Sequence, residues 1–429
     1  MAETTGLLNR HTGITRIEGS NPSVSASCYS PKFCLSERLD EPILALQGPA
    51  MNEDQPNDEG RSDGGQAEQD LDASKAGDAA APPPAEGTSK ISVSRGMAGW
   101  LQSNRTSFAF TSYQTGQLFL VGLMANGTVS FNQQNFQRAM GVCYRAGRLY
   151  LGSLFQVWRL ENMLRPGQVG NENFDMVLVP RNAQTIGDID VHEIGVGDDG
   201  HVMFVNTKYS CLSKFDLTHS FKPIWKPPFI SKLVAEDRCH LNGLAMADGK
   251  PKYMTAVSRS DTVNGWRERR DQGGVLIDIE NNRIVTEDLS MPHSPRVHGG
   301  RVYVLDSGRG QLVSVDPESG ERTDIAFCPG FLRGMSIHNG HALVTISKPR
   351  DGSFSGLALD DELKQRDGDP WCGVLVVKLD TGDIVEWVRL EGHITELFDV
   401  AAMPNVRCPM SIGPDTIEVR NNISFDPEI

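Results

Sequence analysis

The chain has 429 residues, with 55 acidic against 41 basic and a formal net charge of −14. That balance argues against nucleic acid or an anionic membrane as the main partner, and no run approaches the ~18 apolar residues of a membrane span. Residues 1–16 lack a basic segment followed by an apolar one, so no secretory signal is read and a soluble, cytoplasmic protein is expected.

Residues 1–51 hold short apolar clusters, such as Pro42 to Leu46, without a sustained period. From Asn52 to Lys90 the chain is rich in Asp, Glu, Gly, Ala and Pro and nearly empty of large apolar side chains. Such a stretch cannot bury enough surface to offset its ordering entropy. Residues 1–94 are therefore expected to form a disordered acidic tail and residues 95–429 a folded domain.

Beyond Arg95 the texture changes to short β-rich runs separated by Gly, Asn and Asp turns. Five segments share one grammar, beginning at Met140, His192, Asn242, Ser294 and Arg333. Each opens on a polar or glycine-containing signature and runs as a strand to a glycine (Gly147, Gly200, Gly249, Gly300, Gly340). It then resumes as a strand ending in Ser or Thr. The glycines recur at roughly 40- to 50-residue intervals, the length of a four-stranded propeller blade. A further blade is split: Glu396 to Pro404 has the character of an innermost strand, and Ser107 to Asn135 supplies three strands that lack one. Joining them closes the ring and removes exposed sheet edges. The expected fold is all-β, a six-bladed β-propeller with a composite closing blade; paired β-sandwiches or a solenoid are the competing arrangements.

In a propeller the innermost strands line a central channel, so their opening residues are the candidate site. They read GDIDVHE (Gly187 to Glu193), EDRCHLNG (Glu236 to Gly243), MPHSPR (Met291 to Arg296), PGFLRG (Pro329 to Gly334) and TELFD (Thr395 to Asp399). Buried charges are costly unless paired or solvated, so such a ring must be wet, mutually paired or bound to something. His192, His240, His293, Glu396 and Asp399 are the candidate catalytic groups. His192, His240, His293 and Glu396 are also candidate ligands for a divalent metal, Zn²⁺, Fe²⁺, Mn²⁺ or Ca²⁺. Hydrogen bonding between blades is the competing role for the histidines. Arg296 and Arg333 are candidate anion clamps, with pairing to Asp188, Asp190 or Glu396 across neighbouring blades as the alternative, and Asn242 can supply a neutral donor and acceptor. Two long connections, Arg259 to Gln272 and Lys348 to Trp371, rise on the same face and put forward Trp266, Arg267 and Trp371 as a lid.

GVGDDG at Gly195 to Gly200 is followed by a strand and carries two aspartates, so it reads as a hairpin turn and not as a dinucleotide loop. No G-x-S-x-G elbow or P-loop is present. The eight cysteines form no Cys-x-x-Cys pair, which predicts reduced and mostly buried thiols.

Taken together, VPRN…GDIDVHE, PPFIS…EDRCHLNGLAM, DGKPKY, MPHSPR, PGFLRG and ELFDV resemble an uncharacterised, mainly bacterial family known as a conserved hypothetical domain, over roughly Arg95 to Cys408. The architecture is more distantly similar to the six-bladed propellers of gluconolactonase and strictosidine synthase, which implies a polar channel able to hold a metal ion. The function expected is an enzyme acting on a small polar metabolite or peptide at the channel mouth, by hydrolysis, lyase chemistry or isomerisation. The alternative is a non-catalytic propeller that binds a small molecule or protein.

Overall fold

Strands such as Cys372–Lys378 (CGVLVVK) are apolar on both faces because each sheet packs between two neighbours. In the computed structural model, which describes residues 89–425 apart from 351 and 355 and the backbone of three short strands ahead of them, such strands build six sheets. Their innermost strands are Val142–Arg145, Val191–Val196, Leu241–Ala247, Pro292–His298, Phe331–His338 and Val400–Pro404, each next to the one after it and the last next to the first. The result is a closed six-bladed propeller. The five repeat glycines sit at its inner hairpins with φ between 68° and 79°, which a residue with a Cβ adopts only under strain.

The closing blade is composite, as expected. Val400–Pro404 pairs antiparallel with Thr106–Ser112, with Val400 opposite Phe110 and Pro404 opposite Thr106, and Gln117–Leu123 and Val129–Asn135 complete the sheet. The chain then crosses to the next blade, where Pro409–Ser411 runs parallel to the outer strand Met176–Thr185. This second seam was not anticipated from sequence.

Ser89–Val93 lies inside the stretch read as tail, yet it pairs with Ile384–Glu391 and buries Ile91 and Val93. Two apolar residues beside a long acidic run are too few to register in composition. The backbone strand Thr4–Leu8 pairs with Ser89–Val93, and Ile14–Arg16 pairs with Val129–Asn135 and with Cys28–Tyr29. The rest of the expected disordered tail lies outside the described residues. The six cysteines from Cys143 to Cys408 are unpaired, five of them buried. No helix among the described residues is long and apolar enough to cross a membrane.

Candidate functional site

Four innermost strands break register near their starts: between Val191 and Ile194, Leu241 and Gly243, His293 and Arg296, and Leu332 and Met335. An extra residue at a bulge interrupts the strict alternation of faces and re-aims side chains. His192 and Glu193, Asn242, Ser294 and Arg333 all sit at these breaks. Left-handed residues precede them, with φ of 56° at Asp190 and 47° at Met291, and His240 itself is at 50°.

The three signature histidines come together from three blades. The His192 ring centroid lies 5.0 Å from that of His240 and 6.4 Å from that of His293. In each, Nδ1 is tied back to its own blade. His192 Nδ1 meets the Asp190 carbonyl at 3.0 Å and Thr207 Oγ1 at 2.8 Å, and the Thr207 hydroxyl donates to the Leu241 carbonyl at 2.6 Å. His293 Nδ1 meets the Met291 carbonyl at 2.8 Å and Ser307 Oγ at 3.1 Å. His240 Nδ1 faces Asp237 Oδ2 at 2.9 Å, and that oxygen also accepts the Trp266 indole N–H at 2.8 Å.

Carbonyl and carboxylate oxygens only accept, so all three rings carry their proton on Nδ1. His293 Nε2 is buried with no partner among the described residues. Burial pushes His192 down to about 4, against the opposing pull of Asp190. Burial, and then the Arg333 charge, hold His293 well below the ordinary histidine value. At neutral pH both are uncharged.

Arg333 stands beside this group with its guanidinium carbon 5.1 to 5.7 Å from the ring centres of Phe331, Tyr113 and Phe398. The Glu396 carboxylate is held bidentately by Arg350 Nε at 2.9 and 3.0 Å and also accepts the Tyr113 hydroxyl proton, while Arg350 donates to the Tyr113 oxygen. Burial raises the Tyr113 pKa and the Glu396 charge adds to it, so the phenol stays protonated. Glu396 is therefore fully engaged, and the structure does not bring it into the histidine group as a fourth metal ligand.

Asp399 and Arg296 belong to a second, buried cluster. Arg296 is ion-paired with Glu193, which also accepts the Leu244 N–H at 2.6 Å. Asp399 accepts the N–H groups of Val142 at 2.9 Å and Val400 at 2.8 Å. Burial and the Glu193 charge push Asp399 up to about 7, with Arg296 pulling the other way. Arg296 is thus consumed by an internal carboxylate, but by Glu193 and not by Asp188, Asp190 or Glu396, the partners the sequence put forward. Asn242 is buried; its Oδ1 accepts from Thr255 at 2.8 Å and its Nδ2 has no partner among the described residues.

The long loops divide in their contribution. Trp266 lies over His240 with centroids 4.2 Å apart, and Arg267 stacks on Trp266 at 4.6 Å from the exposed side. Trp371 instead packs against Trp387 and under Arg389, where nothing joins it to the histidines. The second loop reaches the mouth through Arg350 and through Phe354, which stacks on Phe331. Tyr113, Arg350, Asp237, Thr207 and Ser307 were not singled out from sequence. The repeated terminal Ser or Thr of the second strand was the signal that could have found the last two.

Among the described residues no group of three His, Cys, Asp or Glu side chains forms a ready metal cage. The donor chemistry nonetheless fits a cation, because three imidazoles gather here and each is oriented from behind by an oxygen on Nδ1.

The family described as "Domain of unknown function (DUF4915)" matches residues 95–412. No curated protein matches the chain. Among solved structures, the chain is similar to one titled "Crystal structure of Nidogen/Laminin Complex", with 11% identity and a TM-score of 0.45 over 71% of this chain and 100% of that chain. The family match takes in the innermost strands of all six blades and every residue of the channel mouth, so the chain belongs to the DUF4915 family.

Proposed function

We propose that the channel mouth is a metal-dependent active site for a small polar metabolite or peptide, working by hydrolysis, elimination or isomerisation. The observation that carries this is that His192, His240 and His293 come together with each Nδ1 tied to an oxygen of its own blade, which leaves Nε2 as the nitrogen able to bind. Imidazole nitrogens favour Zn²⁺, Fe²⁺ or Mn²⁺ over Ca²⁺, which takes oxygen ligands. Such an ion supplies Lewis acidity for a carbonyl or a bound water. Burial keeps His192 and His293 unprotonated, so no proton competes at neutral pH. Trp266 limits the movement of His240, and Tyr113 holds a proton at the mouth as a hydrogen-bond donor to Glu396.

Metal analysis of the full chain purified without chelator tests this. Stoichiometric metal is expected in the native protein and its loss in His293→Ala, with the β-sheet circular dichroism unchanged. If the native chain takes up none of these ions even when they are supplied, the site is that of a non-catalytic propeller whose lone pairs accept hydrogen bonds from a ligand.

A further inference from the structure

We infer that the ligand of the channel mouth carries a carboxylate and that Arg333 is its anchor. This rests on the mouth being the working site, as proposed above, but not on the metal.

A guanidinium removed from water needs an anion or a full set of acceptors. Other half-buried or buried arginines near the channel have one: Arg296 pairs with Glu193, Arg238 with Glu236 and Asp261, and Arg309 with Asp306. Arg333 pairs with no carboxylate among the described residues. Its Nε is buried without a partner, and its side chain's polar contact is one long approach of Nη2 to the Tyr113 hydroxyl at 3.4 Å. Of the neighbouring acids, Glu396 is held by Arg350, and Asp190, which lies 3.9 Å from Arg138 and 3.7 Å from His192, makes no ion pair with Arg333.

Three aromatic rings flank the guanidinium instead. Aromatic faces stabilise a cation without using its N–H groups, so the donor fork stays available, and that fork matches a carboxylate in two parallel hydrogen bonds. With Arg350 paired to Glu396, Arg333 is the guanidinium at the mouth that touches no carboxylate among the described residues, and its single fork suits one carboxylate. Position supplies the link to the histidines. Phe398 lies 5.7 Å from the Arg333 guanidinium carbon and 5.2 Å from the His192 ring, and Phe331 lies 5.1 Å from that carbon and 5.8 Å from the His293 ring. A single ring separates the anchor from the histidines on either side. The class that fits is a small carboxylic acid with a compact apolar body against these rings and a second oxygen close to the carboxylate, for the histidine side.

Mandelate and its uncharged analogue mandelamide are suitable probes, titrated calorimetrically into the full chain with and without chelator. Mandelate is expected to bind about tenfold or more tightly than mandelamide, the difference one charged bidentate contact supplies. Arg333→Gln should reduce that ratio to about one while leaving mandelamide binding and metal content unchanged, and Arg333→Lys, which keeps charge without the fork, should fall between. If Arg333→Gln fails to fold, Arg333→Lys alone decides by losing or keeping the preference. Equal weakening of both probes, an unchanged ratio, or no binding of mandelate at millimolar concentration overturns the inference. A preference in a chain that takes up no metal even when it is supplied leaves the carboxylate anchor standing and the metal centre refuted. Stoichiometric metal with no preference for mandelate gives the converse.

Discussion

Thr207 shows how much of the site is decided one atom behind it. Its hydroxyl proton goes to the Leu241 carbonyl, so its oxygen can only accept from His192 Nδ1, and that fixes which nitrogen faces the channel. Partners of this kind typically change metal affinity 10- to 100-fold when removed. Thr207→Val keeps the shape and deletes the acceptor, leaving the Asp190 carbonyl as the remaining hold. We expect metal affinity, measured by competition with a chromophoric chelator, to fall by about tenfold, and Thr207→Ser to restore it. Native affinity in Thr207→Val would mean the carbonyl suffices. The histidines were legible in sequence because each opens an innermost strand. Thr207 was visible only as a recurring strand end, since its bond depends on the pairing of Val191 with Asn206.

At the scale of elements, the channel is built by strands that leave their regular pairing. A bulge leaves no mark in composition or alternation, which is why ionisable signatures could be placed on innermost strands but not sorted into the histidine group and the Arg296–Glu193–Asp399 cluster. The second long loop was legible as reaching the channel mouth, yet the residue it delivers is Arg350 and not Trp371, because side-chain direction within a loop follows from contacts that sequence does not carry. Asp399 latches two innermost strands through the N–H groups of Val142 and Val400, and this has a pH signature. Its folded pKa of about 7 lies above the ordinary carboxyl value of 3.8. The folded state therefore holds the extra proton in between, and the stability this gives, full below the unfolded value, is lost as pH rises through about 7. His192 acts oppositely: with a folded value of about 4 against 6.5, its contribution is lost as pH falls between them, and His293 adds in the same direction. A tenfold change in a group's proton affinity on folding is worth ~1.4 kcal/mol, so the one carboxylate opposes the two histidines across this window and offsets only part of their slope. In chelator-treated protein, urea midpoints of the native chain should rise modestly from pH 5 to 7. Those of Asp399→Asn should rise more steeply, because only the histidine slope is left. Parallel profiles would show that Asp399 titrates as an ordinary carboxylate.

For the whole molecule, the question is what keeps the mouth residues of separate blades in register. A propeller without closure presents two open sheet edges and lets its blades spread, so the distances among His192, His240 and His293 depend on a seam remote from them. Here the seam is double: Val400–Pro404 enters the sheet of Thr106–Ser112, and Pro409–Ser411 then straps the outer strand of the following blade. Asp175 accepts the N–H groups of Arg407 and Cys408, and Gln134 donates to the Ser411 carbonyl, so the strap is hydrogen-bonded on both sides. The first seam supplies an innermost strand and buries Val400, Ala402 and Met403, whereas the strap lies at the rim. The two should separate on truncation. A chain ending at Asn405 keeps the innermost strand, and we expect it to unfold cooperatively at a lowered melting temperature with its metal content retained. A chain ending at Thr395 removes Glu396, the Asp399 latch and the whole innermost strand. It should lose the cooperative transition, bind a hydrophobic dye and hold no metal, although all three histidines remain in the sequence. Equal behaviour of the two truncations would show that the strap, and not the composite blade, closes the ring.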